Sequence, residues 1–270
     1  MNKEELIGVR EQAEVIVRQV GEFVLSFWDT NNNVSYKEGR EPVTAIDTGA
    51  EDMLVEKLSG IVSGAGFIRE EGEDDVQDEY NWTIDPIDQT KNFIGKIPLF
   101  YVQVALVRKG EPVLGVIYNP VSKQLFSSSE GDGAWLNGTR VNPTWEDSLL
   151  KAMVELDIGG NDQDTSWRLE CIGKLLTSAY RVRVTAGALS PYLLTGGVDA
   201  YVVLNEKTKI VDQMPRRALF KEAGFDSREI NLEGRKVVVY AGKPLADEIE
   251  QLFREKLSAF DGVGGEWKAG

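Results

Sequence analysis

The sequence predicts a mixed α/β protein, α+β in its first half and α/β in its second, on three observations. Two amphipathic helical stretches open the chain, a run of closely spaced strands follows up to about residue 141, and strands then alternate with helices from about residue 150. The shift to alternation divides the chain into an N-terminal part, residues 1–148, and a C-terminal part, residues 149–270.

Leu6, Val9, Ala13, Ile16, Val20, Phe23, Val24 and Phe27 recur at helical spacing, so residues 3–29 read as one helix. Its mixed charges favour packing on a core over binding a membrane or partner. A second helix is expected over 44–61, with Ala50, Met53, Leu54, Val55 and Leu58 on its apolar side and Asp47 in its first turn. After an acidic loop from Glu70 to Glu79, Trp82-Thr83-Ile84 reads as a short strand leading into Asp85. Strands are expected over 100–107, 113–119, 123–128 and 133–141. Lys109-Gly110-Glu111-Pro112, Asn119-Pro120 and Gly131-Asp132-Gly133 separate them into an antiparallel meander, and Asn137-Gly138 signals a tight turn inside the last. The second half reads as strand 152–157, helix 164–178, strand 180–184, helix 187–195, strand 199–204, helix 213–223, strand 236–241 and helix 244–259.

The 270 residues, 42% hydrophobic and 27% charged, suffice for a substantial core. Thirty basic against 44 acidic side chains leave a formal charge of −14, which repels nucleic-acid phosphates and anionic membrane surfaces. Small or cationic partners, or anions bridged by metal, are expected instead. Without histidine there is no Ser-His triad, no imidazole base and no His-ligated zinc, so carboxylates must do any acid-base or metal work. The lone Cys171 forms no internal disulfide and reads as a small buried apolar residue of a reducing compartment, by default the cytoplasm. Met1-Asn2-Lys3-Glu4-Glu5 lacks a basic region followed by an apolar core, and no run approaches the roughly 20 apolar residues of a membrane span. Neither targeting nor anchoring is expected.

The most informative segment is Trp82-Thr83-Ile84-Asp85-Pro86-Ile87-Asp88-Gln89-Thr90-Lys91-Asn92-Phe93. Two aspartates three apart, with proline between them, can turn both carboxylates and the Ile87 carbonyl toward one point at a strand end. Hard cations such as Mg²⁺ favour that oxygen-only set. A short helix beginning near Gln89 would aim backbone N–H groups at the same point, where a phosphate could sit. Alone, Asp-Pro-Ile-Asp is explained about as well by a proline turn flanked by capping aspartates.

The longer string W-x-x-D-P-I-D-x-T-x-N-F resembles the signature of the inositol monophosphatase superfamily, the Mg²⁺-dependent, lithium-sensitive phosphatases that include histidinol-phosphatase and 3′(2′),5′-bisphosphate nucleotidase branches. The likeness extends over nearly the whole chain. Phe67 to Gly72 is similar to the family's G-E-E segment, and Glu41-Pro42-Val43-Thr44-Ala45-Ile46-Asp47, with Lys37 before it, to its D-L-V-T-x-x-D stretch. Gly131 to Gly138 resembles the G-x-G-A-x-x-N-G turn, Gly197 to Tyr201 the G-x-x-D-A-Y strand start, and Asp212 with Glu222-Ala223-Gly224 the W-D-x-A-A-G…E-A-G-G pair. The resemblance implies a layered α-β-α-β-α sandwich and a phosphomonoesterase using two or three Mg²⁺ ions. It implies that Glu70, Asp85, the Ile87 carbonyl, Asp88 and Asp212 hold metal, with Asp47 at the edge of the cluster, and that Glu70 and Thr90 orient the attacking water. Asp88, Gln89 and Thr90 would face the substrate, and Arg216, which the family does not have, is read from its charge as a further substrate contact. For Asp212 a bland alternative stands beside this one, the N-cap of its helix. A small phosphorylated metabolite is the partner implied, and a homodimer the assembly.

Four departures border that site. Gln89 stands where the family has glycine, Val211 where it has tryptophan, Met214-Pro215 where it has two alanines, and Arg216 where glycine follows. A positive φ at Gln89 would cost about 1 kcal/mol of strain, and Pro215 is expected in the first turn of its helix, where a missing N–H is cheap. Arg216 and Arg217 read either as anion contacts or as a solvated helix face. The family's inositol-contacting carboxylate has no clear counterpart between Val202 and Lys209. Two functions follow, a phosphomonoesterase acting on a small polar phosphate ester, or a binding or regulatory protein on the same fold whose catalysis these departures weaken.

Overall fold

The computed structural model describes residues 1–28, 45–160 and 165–255, together with the backbone of two short strands at 34–36 and 42–44. The first helix, α1 (Lys3–Ser26), starts at a capping box in which the Asn2 side chain accepts from the Glu5 N–H at 2.9 Å and the Glu5 carboxylate from the Asn2 N–H at 2.8 Å. Strands β1 (Val34–Tyr36) and β2 (Pro42–Thr44) pair antiparallel, and α2 (Ala45–Leu58) follows. Lys37 and Glu41 lie outside the described residues.

A seven-stranded sheet comes next: β3 (Gly66–Arg69), β4 (Tyr80–Asp88), β5 (Tyr101–Arg108), β6 (Glu111–Asn119), β7 (Gln124–Ser129), β8 (Gly133–Leu136) and β9 (Thr139–Arg140), in that spatial order. Only the β3–β4 pair is parallel; from β4 onward it is the meander the turn residues predicted. Asn137 and Gly138 both take positive φ, which is why that dipeptide divides the last predicted strand into β8 and β9. The short helix α3 (Thr90–Ile94) leaves the end of β4.

The second sheet has five strands in the order β11 (Arg181–Val184), β10 (Met153–Asp157), β12 (Ala200–Val203), β14 (Arg235–Ala241) and β13 (Asp226–Leu232). Helices α4 (Ser166–Ser178), α5 (Ile210–Ala223) and α6 (Lys243–Arg254) and a 3₁₀ helix at Ser190–Thr195 complete the chain. Period-two alternation sorts the side chains into layers. On β5, Val102, Val104 and Leu106 pack with α1 and α2, while Tyr101 points to the opposite core. On β12, Val202 joins the core under α4 and α6, and Tyr201 meets Leu219 and Phe220 of α5 between the two sheets. The order is helices, sheet, helix, sheet, helices, the layered sandwich implied by the motifs.

Some elements differ from expectation. The helix predicted at 187–195 is the shorter 3₁₀ segment Ser190–Thr195, bounded by Gly187 at φ +86° before it and by Gly196 at φ +73° after it. Residues 226–232 were not predicted as a strand: β13 lies at a sheet edge and buries only Ile230, so it carries little apolar pattern. Helix α5 begins at Ile210 rather than 213, which moves Pro215 from the first turn into the interior. There its missing N–H deprives the Val211 carbonyl of its usual donor. Arg216 is buried rather than on a solvated face.

Gly115 on β6 explains how α5 reaches the large sheet. A Cβ there would lie 2.6 Å from the Pro215 carbonyl oxygen and 2.9 Å from the Ala218 Cβ. Only glycine lets this helix lie so close, and its N-terminal turn thereby arrives beside the end of β4.

Candidate metal centre

Asp85-Pro86-Ile87-Asp88 occupies a register shift at the end of β4, where pairing with β5 jumps from Asp85–Gln103 to Asp88–Tyr101. The shift is how one strand turns both aspartates inward. Asp85 and Asp88 are almost fully buried, and Asp212 arrives from the first turn of α5. One oxygen of each of the three carboxylates lies within 4.8 Å of the others, the group able to hold a metal ion found among the described residues. Asp212 is the third residue of its helix, not the N-cap; its carboxylate accepts from the backbone N–H of the cap residue Lys209 at 3.2 Å.

Each carboxylate is held by neighbours. The Ile87 N–H donates to Asp85 Oδ1 at 3.1 Å and Gln103 Nε2 to Asp85 Oδ2 at 2.9 Å. Arg216 Nη2 donates to Asp88 Oδ2 at 2.6 Å, while its Nη1 reaches the Asp212 carbonyl at 2.6 Å and its Nε the Ser190 hydroxyl at 2.9 Å. Thr90 Oγ1 donates to the Ile87 carbonyl at 3.0 Å. Glu70 hydrogen-bonds Asp85 and is paired with Lys209 Nζ at 3.1 Å, but it is not among the three acids that meet within 4.8 Å. Asp47 is buried in the first turn of α2 and is not in that set either. Gln89 takes φ +68°, and its Nε2 donates to the Ala186 carbonyl at 2.7 Å.

Burial raises the pKa of Asp85 well above the ordinary carboxylate range, helped by Glu70, Asp88 and Asp212. For Asp88 burial again raises it and Arg216 pulls it back. Asp212 is pushed up to about 7, first by burial and then by the charge of Asp88. Like charges so close in a desolvated site ask for a cation, and an all-oxygen donor set suits a hard divalent ion. The residues fit Mg²⁺.

Two positioning residues escaped the sequence reading. Glu51, buried on α2, accepts from Arg69 Nε at 2.9 Å and from the Glu71 N–H at 2.8 Å, clamping the segment that carries Glu70 from both sides. Its signal was its place one helical turn after Asp47. Gln103 was visible as a polar residue in the apolar run Tyr101 to Val107. Glu222 of the Glu-Ala-Gly match accepts from the Gly131 and Gly133 N–H groups at 2.9 and 3.2 Å, a structural tie between α5 and the β7–β8 turn. The cleft is about 260 Å³, lined by Glu70, Asp85, Asp88, Gln89, Thr90, Lys209 and Asp212 among others. A smaller cavity of about 130 Å³ between Tyr201, Tyr240 and Arg216 shares Asn205, Thr208 and Asp212 with it.

A fructose-1,6-bisphosphatase/inositol-1-monophosphatase of Thermotoga maritima is 28% identical over 255 residues, covering 92% of this chain and 96% of the relative. Inositol monophosphatase 2 of Solanum lycopersicum is 31% identical over 164 residues, 58% of this chain; the match spans only 61% of that relative. The crystal structure of the extragenic suppressor protein suhB from Bartonella henselae shares the fold, with TM-score 0.82, 24% identity and coverage of 93% and 99% of the two chains. The profile of the inositol monophosphatase family matches residues 5–259. The chain therefore belongs to the inositol monophosphatase family, and the Thermotoga and Solanum relatives named above are phosphoric monoester hydrolases.

Proposed function

We propose that the protein is a Mg²⁺-dependent phosphomonoesterase acting on a small polar phosphate ester. The observation that carries this reading is the meeting of Asp85, Asp88 and Asp212 within 4.8 Å at the end of a cleft of about 260 Å³. In this reading Asp85, Asp88 and Asp212 hold the cation, with Glu70 and the Ile87 carbonyl completing its surroundings. When bound, Mg²⁺ supplies positive charge to the phosphate oxygens and lowers the pKa of water.

The chain's own groups do the rest. Thr90, anchored through its donation to the Ile87 carbonyl, keeps its oxygen lone pairs for the attacking water, and Glu70 takes up a proton from it. The new P–O bond forms opposite the ester oxygen and the old one breaks in line. The leaving alkoxide takes a proton from a solvent water in the open cleft to become the free alcohol, the hydroxide so formed being neutralised by the proton that Glu70 releases. The Gln89 side chain, tied to Ala186, borders the anion's position. Asp47 supports the cluster from α2. The substrate is a small phosphorylated metabolite, of the inositol phosphate, histidinol phosphate or bisphosphate nucleotide kind, and neither nucleic acid nor membrane is a partner.

No helix among the described residues is long and apolar enough to cross a membrane. The unpaired, buried Cys171, its thiol pushed up to about 11 by burial, supports a reducing cytoplasm. A homodimer completes the reading, supported by Leu169, Leu176 and Val184 left exposed on α4 and the edge strand β11.

A phosphomonoester panel with and without Mg²⁺ tests the proposal. Activity is expected only with Mg²⁺, and Asp212→Asn is expected to lose about 100-fold of it or more, the order of magnitude for removing one preorganised electrostatic group from a reacting centre. Background rates across the panel from folded wild-type protein would favour a binding role on this fold. Full activity in Asp212→Asn would refute the site assignment.

A further inference from the structure

The centre carries two cations of its own. Arg216 Nη2 sits 2.6 Å from Asp88 Oδ2 with both side chains over nine-tenths buried, and Lys209 Nζ sits 3.1 Å from Glu70 Oε1. The Arg216–Asp88 pair is buried, whereas the Lys209 side chain reaches Glu70 from the rim of the cleft. Arg216 is fastened at its other nitrogens to the Ser190 hydroxyl and the Asp212 carbonyl, so it cannot swing to solvent when a metal arrives. Lys209 is the cap residue of α5, and its backbone N–H is tied to Asp212, which fixes where its side chain starts.

Once a bound cation has displaced their protons, Glu70, Asp85, Asp88 and Asp212 bring four negative charges to this centre. Lys209 and Arg216, which pair with them directly, return two positive ones, while Glu71, Lys91 and Lys207 line the cleft further out. Two negative charges remain, those matched by one divalent ion. Donor oxygens shrink in parallel, because Arg216 occupies Asp88 Oδ2, Gln103 occupies Asp85 Oδ2 and Lys209 occupies Glu70 Oε1. A second divalent ion would bring its charge close to a buried guanidinium, and that repulsion is strong where solvent does not screen it.

We propose that Lys209 and Arg216 stand in for part of the metal charge, so that the protein without substrate binds one divalent cation per chain where its four carboxylates would otherwise accept two. This inference rests on the metal-dependent reading above. It makes the departure at Arg216 a substitution of protein charge for metal charge rather than damage to the site.

The test is a count of Mn²⁺ and Mg²⁺ ions bound by the full-length, metal-stripped protein, by electron paramagnetic resonance and titration calorimetry, in wild type, Lys209→Met and Arg216→Met. One ion per wild-type chain, with a second binding event in Lys209→Met tightened at least tenfold over any weak second event in wild type, is the expected result. Arg216→Met is expected to do the same. Should it not fold, Lys209→Met, whose side chain is 39% exposed, carries the test alone. Two ions of comparable affinity in wild type, or an unchanged count and affinity in Lys209→Met, would overturn the inference and leave the phosphatase reading intact. No binding of either ion to folded wild type would remove both.

Discussion

Gln89 holds φ +68°, a region where a side chain costs about 1 kcal/mol against glycine, and recovers part of that through its hydrogen bond to the Ala186 carbonyl. The two effects are of similar size, so Gln89→Gly is expected to change stability by less than about 1 kcal/mol. Its effect on the cleft is larger, because Gln89 lines it beside the anion position proposed above. We expect kcat/KM toward small phosphomonoesters to rise in Gln89→Gly at unchanged melting temperature. A fall would mean that the glutamine helps to bind substrate. The residue was legible as a departure in the sequence; where its amide points was not, because Ala186 lies almost a hundred positions away and only folding brings it near.

At the scale of elements, the site exists because α5 lies against the large sheet. Gly115 permits that approach, and Gly115→Ala places a methyl carbon 2.6 Å from the Pro215 carbonyl. The backbone must shift, at a cost of about 1–3 kcal/mol by the measure of overpacked cores. Since Asp212 and Arg216 both ride on α5, we expect the variant to lose Mg²⁺ affinity as well as stability, read by calorimetry and thermal melting. Loss of stability with unaltered metal binding would show that α5 adjusts without moving Asp212. The meander β4 to β9 was readable because its turn residues and alternating faces are local signals. β13 was not, since an edge strand with one buried side chain is written by its pairing with β14 rather than by its own composition.

For the whole molecule, the proposed metal binding would be coupled to stability through the carboxylate cluster. Asp212 has an ordinary value of 3.8 and is pushed up to about 7 in the folded chain, chiefly by burial and by Asp88. Between those values the folded state keeps a proton that the unfolded state has released, so this group's contribution to stability declines as pH rises from about 4 to about 7. A cation bound to the ionised carboxylates reverses the penalty. The stabilisation given by Mg²⁺, read as a rise in melting temperature, is therefore expected to be larger at about pH 7.5 than at about pH 5, and to amount to about 2.7 kcal/mol of free energy at a hundredfold excess over Kd. An increment that shrinks with rising pH would place the metal elsewhere.

What the sequence by itself determined was most of the succession of elements, β13 and the 3₁₀ segment apart, and the turn that places Asp85 beside Asp88: apolar periodicity is local, and Asp85-Pro86-Ile87-Asp88 carries its turn within four residues. The tertiary structure alone decided which charges face one another. Arg216 reads in the sequence as one of two neighbouring arginines on a helix, and it becomes the buried partner of Asp88 only because a glycine on β6 lets α5 close on the sheet. Charge pairing across 128 positions depends on distances in space, and those are set by packing rather than by any pattern along the chain.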